Sequence, residues 1–287
     1  MSKLHTYEIS HRNILIQGSE LHIGDGVTFG NDVQIRAHKS VVIGDHAVLG
    51  DRLTVNCESL VLGDYFYNKP TDSRGLVIGG GGSHLPFSHV RVGKRCVCHT
   101  GHWNAAQSIE LGDDVGLSHD VDLLTHGFWG SVLDGYPRTF APIKIGNNVI
   151  LGWKSLVGAG VTIGNNVVVG ACSVVVKNLE QSGVYVGNPA KFLRALQPIT
   201  DLDYQQRKLE EICDEFQCLM QFYDVDAPRM RVTNPHIQVN NLLLDVDTLQ
   251  CVGTHDPVTD AFRDHLRRYG IRIFHPRGFA FNLQRLD

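Results

Sequence analysis

From Ile145 onward an aliphatic residue returns at every sixth position: Ile145, Leu151, Val157, Ile163, Val169 and Val175. Gly146, Gly152, Gly158, Gly164 and Gly170 follow the first five. Four residues after each of those five aliphatics stand Val149, Ser155, Val161, Val167 and Ser173, all small or β-branched. A unit of six residues is too short for a helix. It fits a short strand, a tight glycine-bearing corner and another short strand. Three units make one triangular coil of eighteen residues, and the phrase IGNNV at Ile145 recurs at Ile163 after that interval. The chain has then gone once around.

The beat extends upstream through Ile23, Phe29 and Ile35, then Ile43, Leu49 and Val55, then Leu62. Val92 and Cys98 continue it, followed by Leu111, Leu117 and Leu123. Such repeats bury a continuous core only by stacking on their neighbours, which makes the fold mainly β, a parallel β-helix. Two excess stretches interrupt it, bounding loops at 63–91 and 124–142. Insertions in a solenoid emerge as loops, and loops on rigid scaffolds carry function. Both hold aromatic, histidine and glycine residues.

The expected organisation is a lead-in over 1–20, the solenoid over 21–195, and a C-terminal part over 196–287. There, Leu202, Leu209, Ile212, Phe216, Leu219 and Met220 form the apolar face of a helix from about Asp201 to Tyr223. Beyond Pro228, HIQVNNLLLDVD and GIRIFH read as short strands around a helix in DPVTDAFRDHLRRYG. This is a small α+β appendage.

Bulk properties remove some functions. A net charge of −4 and a pI near 6.4 give no basic footprint for nucleic acid. No apolar run reaches the roughly 18–20 residues of a membrane span. The opening MSKLHTYEISHRN lacks the apolar core of a signal peptide, so a cytoplasmic protein is expected. Seven cysteines (57, 96, 98, 172, 213, 218 and 251) form no disulfide framework, which suits a reducing compartment. Cys96 and Cys98 lack the second pair that a zinc site wants.

The segment Pro142–Arg194, PIKIGNNVILGWKSLVGAGVTIGNNVVVGACSVVVKNLEQSGVYVGNPAKFLR, resembles the left-handed β-helix (hexapeptide-repeat) acyltransferases. It is most similar to the branch of maltose, xenobiotic and bacterial-polysaccharide acetyltransferases. The likeness extends more loosely back to about Leu21 and does not reach 201–287. It implies a left-handed coil, against the usual right-handed preference. It further implies a homotrimer, acetyl-CoA as co-substrate in a groove between neighbouring solenoids, a loop histidine as general base, and no required metal.

Acyl transfer from a thioester needs a base that titrates near neutrality, fixed donors for the developing oxyanion, and positive charge for the coenzyme phosphates. His126, in LLTHGFWG, follows a coil where the family places its loop histidine and is the expected base. Two residues that the family often has before that histidine are missing here, and His119 is the fallback. Asp122 is the candidate orienter of the ring.

Gly152, Gly158, Ala159, Gly160, Gly170 and Ala171 are small because tight corners need them. The resemblance adds that they let the pantetheine arm approach the backbone. Lys177, Lys191 and Arg194 are the expected phosphate partners, and Asn188, Pro189 and Ala190 the turn that closes the groove. Trp153 stands on that same edge, where the family has a small residue; its indole either packs on a neighbouring subunit or offers an acceptor sugar a flat face. Trp129, Tyr136 and Arg138 share the loop of His126 and suit a sugar acceptor. Gly79–Gly82 lacks the Gly-Lys-Ser/Thr of a phosphate loop and reads as a flexible tip over the cleft, with His84, His89, His99 and His102 around it to line the acceptor side, His102 being expected to bind the acceptor.

The reading is an acetyl-CoA-dependent O-acetyltransferase acting on a sugar in bacterial surface polysaccharide biosynthesis. The alternative is N-acetylation of a nucleotide-linked amino sugar. A γ-carbonic-anhydrase-like metal enzyme is disfavoured because Ile145–Val176 contains no histidine. The loop histidine and GNPAK argue against a non-catalytic scaffold.

Overall fold

The computed structural model describes residues 4–68, 74–80 and 86–277. The chain forms two compact units, Met1–Leu196 and Gln197–Asp287.

The first unit is a solenoid of short parallel strands whose register follows the sequence period. Ile145 pairs with Ile163, Leu151 with Val169 and Val157 with Val175, each eighteen residues apart. The three pairs lie on three faces. The side chains at the beat point inward: Leu151 and Val157 are fully buried, and Ile163, Val169 and Val175 are 1% exposed. Phe66 and Trp103 are buried in the interior of the earlier coils.

The corners explain the remaining letters of IGNNV. A Cβ on Gly146 would lie 2.4 Å from Asn165 Oδ1, so the coil above occupies the space a side chain would need. Asn147 Oδ1 accepts the Asp113 N–H at 2.8 Å, and Asn165 Oδ1 accepts the Asn147 N–H at 2.7 Å. The same rung recurs from Asp25 to Asp45, Asp45 to Asp64 and Lys94 to Asp113. Where an Asp or Asn follows the corner glycine, as at Asp45, Asp64, Asp113, Asn147 and Asn165, it stitches one coil to the next. The second Asn takes left-handed backbone, with φ of 55° at Asn148 and 56° at Asn166. A short polar side chain tolerates that conformation better than most.

Two sequence expectations shift. Within the expected lead-in, the strand Ile14–Gly18 already pairs in parallel with Gln34–Ile43, and Ile14 and Ile16 are buried. Its corner lacks the Gly-Asp signature, which hid it. Likewise Leu76–Gly79, read as part of a loop, is a strand of the solenoid paired on both sides.

The second unit is a four-stranded antiparallel meander, Met230–Thr233, His236–Val239, Leu242–Asp245 and Gln250–Gly253, with two helices. Helix α1 (Leu202–Phe222) is capped by Asp201, whose carboxylate accepts the Tyr204 N–H at 3.0 Å. Helix α2 (Pro257–Arg267) starts on a reciprocal cap between Asp256 and Thr259. Leu209, Ile212, Phe216 and Met220 of α1 share a core with Ile237, Leu242 and Leu244 of the sheet and with Phe262 and Leu266 of α2. Leu202, expected on the buried face, is 69% exposed at the first turn. The expected strand in GIRIFH is irregular backbone instead. Ile273 is buried there, and its carbonyl accepts from Arg263 of α2 at 3.2 Å.

Candidate active site

His126 opens a short hairpin that leaves the solenoid. His126–Gly127 pairs antiparallel with Thr139–Phe140. The imidazole stacks on Phe140 at 5.0 Å between centroids and lies 5.4 Å from Phe128. Thr125, fully buried, roots the hairpin. Its hydroxyl donates to the Asn104 carbonyl at 2.7 Å and accepts the Gln107 N–H at 3.0 Å.

The group that holds the ring is Asn104. His126 Nδ1 lies 2.5 Å from Asn104 Oδ1. The same oxygen lies 3.4 Å from the Ala106 N–H, which can only donate. Oδ1 is thus an acceptor, so His126 Nδ1 carries the proton and Nε2 is left with its lone pair outward. Asp122, the expected orienter, is engaged elsewhere: its Oδ1 accepts the His102 N–H at 2.9 Å. Asn104 was missed because its coil is short. Trp103 pairs with Leu123, yet it stands five residues after Cys98 rather than six, so the beat gives Asn104 no special place.

Gly80 completes the seat. Its φ is +95°, and a Cβ there would lie 2.3 Å from Asn104 Nδ2. The chain crosses the amide where only hydrogen fits. Gly81, Gly82 and His84, expected over the cleft, lie outside the described residues.

Register places the small residues beside the histidine. Leu123 pairs with Val157, and Val157 with Val175. Gly158 therefore follows Val157 on the coil next to the one from which the His126 hairpin departs after Leu124. Val176-Lys177 lies one coil further.

Residues 142–177 match the family described as the hexapeptide repeat of succinyl-transferase. Residues 142–177 of the solenoid thus carry a hexapeptide repeat. Its coils are those of a left-handed β-helix. Protein CapG of Staphylococcus aureus is 43% identical over 93 residues, covering 31% of this chain and 54% of that protein. The chain thus spans about half the length of the curated relative it matches. A hexapeptide-repeat-containing acetyltransferase from Vibrio cholerae is 26% identical over 38% of this chain and 64% of its own, with a TM-score of 0.35. A galactoside acetyltransferase in complex with coenzyme A is 28% identical over 38% of this chain and 55% of its own, with a TM-score of 0.34.

Within residues 142–177 the glycines divide into two kinds. A Cβ on Gly152 would meet Ala171 N at 2.6 Å, and one on Gly170 would meet Val186 Cγ1 at 2.8 Å, so coil stacking alone accounts for both. Gly158 is different. Its nearest neighbour would be Val175 O at 3.5 Å, an ordinary contact. Stacking does not demand glycine there. Ala159 is half-buried, and Ala171 is exposed.

Lys177, Lys191 and Arg194 are all exposed. The strand Lys191–Arg194 runs antiparallel to Gly183–Val186 and closes the last ladder. Asn188 and Pro189, joined by a cis peptide bond, form the turn between those strands, and the Ala190 N–H donates to Val174 O at 2.8 Å. Trp153 is 49% exposed, with the Lys154 ammonium 4.6 Å above its ring.

The acceptor candidates differ in their surroundings. Trp129 is 97% exposed. Tyr136 lies over Gly130, where a Cβ would strike its ring, and the Arg138 guanidinium sits 4.3 Å over Phe140. His102 is exposed on the coil before His126. His119, the fallback base, stacks on His99 at 4.6 Å, and its Nδ1 lies 3.3 Å from Thr100 Oγ1. It occupies the preceding corner, with the strand Asp122–Leu124 between it and His126. His89 Nδ1 lies 2.7 Å from Ser59 Oγ.

Among the described residues no group of three or more His, Cys, Asp or Glu is placed to hold a metal ion. Cys96 and Cys98 are buried inside the solenoid. Burial pushes the Cys96 thiol up to about 12 and the Cys98 thiol well above its usual range. No helix among the described residues is long and apolar enough to cross a membrane.

Proposed function

We propose that the chain is an acetyltransferase that moves an acetyl group from acetyl-CoA to a hydroxyl of a sugar in surface-polysaccharide biosynthesis. The observation that carries this reading is the Asn104–His126 hydrogen bond. It fixes the tautomer a general base requires, in a loop beside a glycine-bearing edge.

In this mechanism His126 Nε2 takes the proton of the acceptor hydroxyl as its oxygen attacks the thioester carbonyl. The tetrahedral intermediate collapses with loss of the coenzyme thiolate, which receives that proton. Asn104 holds the ring still so that no reorientation is needed during transfer. The pantetheine arm runs along Gly158-Ala159-Gly160, with Trp153, Gly152, Gly170 and Ala171 on the same edge. Lys177, Lys191 and Arg194 meet the phosphates. Trp129, Tyr136 and Arg138 receive the acceptor. A homotrimer supplies the second wall of the groove. The family description, a repeat of acyl-transferring enzymes, supports the reaction class.

Calorimetric titration with acetyl-CoA, without acceptor, tests the reading. It expects micromolar binding at about one site per chain. His126→Ala should keep that binding and reduce turnover on a sugar acceptor by roughly 10²–10⁴. Absence of coenzyme binding by folded, oligomeric protein would overturn the proposal.

A further inference from the structure

The second unit holds a nucleophile, a base and a carboxylate in sequence along one hydrogen-bonded line. Cys251 Sγ lies 3.8 Å from His255 Nε2, and His255 Nδ1 lies 3.0 Å from Asp260 Oδ1. We propose that Cys251, His255 and Asp260 form a second, thiol-based site that accepts an acyl group from a small thioester.

Each member is held independently of the others. Asp260, on the buried side of α2, receives Arg263 at 3.0 Å on Oδ1 and Arg277 Nε at 2.8 Å on Oδ2. The His275 ring stacks on His255 at 4.0 Å, which restricts rotation of the imidazole. The loop carrying His255 is pinned by the Asp256–Thr259 cap and by Asn240 Nδ2, which donates to Asp256 Oδ2 at 3.1 Å. With Nδ1–H given to the carboxylate, Nε2 is a lone-pair acceptor aimed at the thiol.

Cys251 is half-buried on Gln250–Gly253, the edge strand of the meander. Burial raises its thiol above the usual range, so the thiol is protonated at neutral pH and attack needs a base. The Thr254 N–H bonds to Asn241 O, and Leu244 pairs with Cys251. Alternation along an antiparallel pair then directs the Cys251 N–H away from its neighbour, toward the open edge. A nucleophile's own N–H on that side is placed to meet an oxyanion.

A thioester fits because exchange of one thiol for another is nearly balanced in energy and needs no co-reactant. The Cys251 sulfur attacks the carbonyl carbon, and its proton passes to His255 Nε2. The carbon–sulfur bond of the donor breaks, and the leaving thiolate takes the proton from Nε2. The products are S-acyl-Cys251 and a free thiol. Asp260 is a positioning residue that acts through His255.

The test incubates the full chain with S-acetyl-N-acetylcysteamine and follows acetylation of each cysteine by peptide mass spectrometry. Cys172 and Cys218, both exposed, serve as internal comparators. Cys251 is expected to react about 10²-fold faster than either, and His255→Gln to remove that advantage. Equal rates at the three cysteines, or an undiminished rate in His255→Gln, would overturn the proposal. The pH profile of the unaltered chain gives a second reading that needs no variant. Base assistance lets the protonated thiol react, so the Cys251 rate rises by less than about tenfold per pH unit below the thiol range. A rate that climbs about tenfold per pH unit into the thiol range would show bare thiolate chemistry and reject the site.

Discussion

The Nδ1 of His126 and the Oδ1 of Asn104 lie 2.5 Å apart, although the residues are 22 positions apart in the chain. The coil brings them together, since Asn104 pairs with Leu124, two residues before the histidine. If the amide sets the tautomer and angle of the base, Asn104→Ala should lower turnover by about 10²-fold with little change in coenzyme affinity. Steady-state kinetics beside calorimetry separates the two quantities. The variant should also lose about 1–3 kcal/mol of stability, because Thr125 and Ala106 share the same asparagine.

Gly80 should behave as a remote control on that pair. Gly80→Ala forces a positive φ on alanine and places its Cβ against Asn104 Nδ2. The backbone cost is about 1 kcal/mol or more, visible in the denaturation midpoint. The larger effect is expected in turnover, by displacement of the amide. A fall in stability with full turnover would show that the Asn104 seat is adaptable.

The side-chain ladder at the corners makes a separate prediction. Asn147 Oδ1 accepts the Asp113 N–H at 2.8 Å. Asn147→Ala should cost about 0.5–1.5 kcal/mol in urea unfolding, the usual net worth of such a bond. Coenzyme affinity should be unchanged, because this corner lies away from Gly158.

Acid should weaken the second unit in two stages. Burial lowers His265 below the usual imidazole range, and burial with the neighbouring His255 does the same to His275. Below about pH 6.5 the unfolded chain takes up those protons first, so stability starts to fall there. Burial pushes Asp260 upward, but hydrogen bonds from Arg277, Arg263 and His255 outweigh it and hold the carboxyl below its usual range. Its contribution is present above about pH 4 and is lost as pH falls further. Denaturation curves read from this unit at about pH 7.5, 5.5 and 4 should show both limbs. His265→Gln should flatten the upper one. Asp260→Ala should cost about 3–5 kcal/mol at neutral pH, because it strips the carboxylate from the buried Arg263.

The solenoid was legible because one physical requirement repeats. A coil side holds one inward aliphatic followed by glycine, and one corner of each coil adds a short polar side chain, so the pattern survives in single letters from Ile145 to Val175. It failed where a coil departs from six. Ile14–Gly18 has buried isoleucines but no Gly-Asp corner. Leu76–Gly79 hides among inserted residues. In the second unit GIRIFH alternates like a strand, yet the carbonyl of Ile273 is taken by Arg263 rather than by a sheet neighbour.

What the sequence by itself determined was periodic: the parallel β-helix, its eighteen-residue turn, and a histidine in the loop that breaks the beat. These follow from local spacing, which each residue carries in its position. What only the tertiary structure decided was pairing. Asn104 rather than Asp122 faces His126, Gly80 roofs that amide, and Cys251 meets a histidine held by a carboxylate of α2. These contacts join residues whose separation obeys no period, because they depend on coil lengths and on helix docking. Spacing fixes which face a residue occupies; only packing fixes which side chain it meets there.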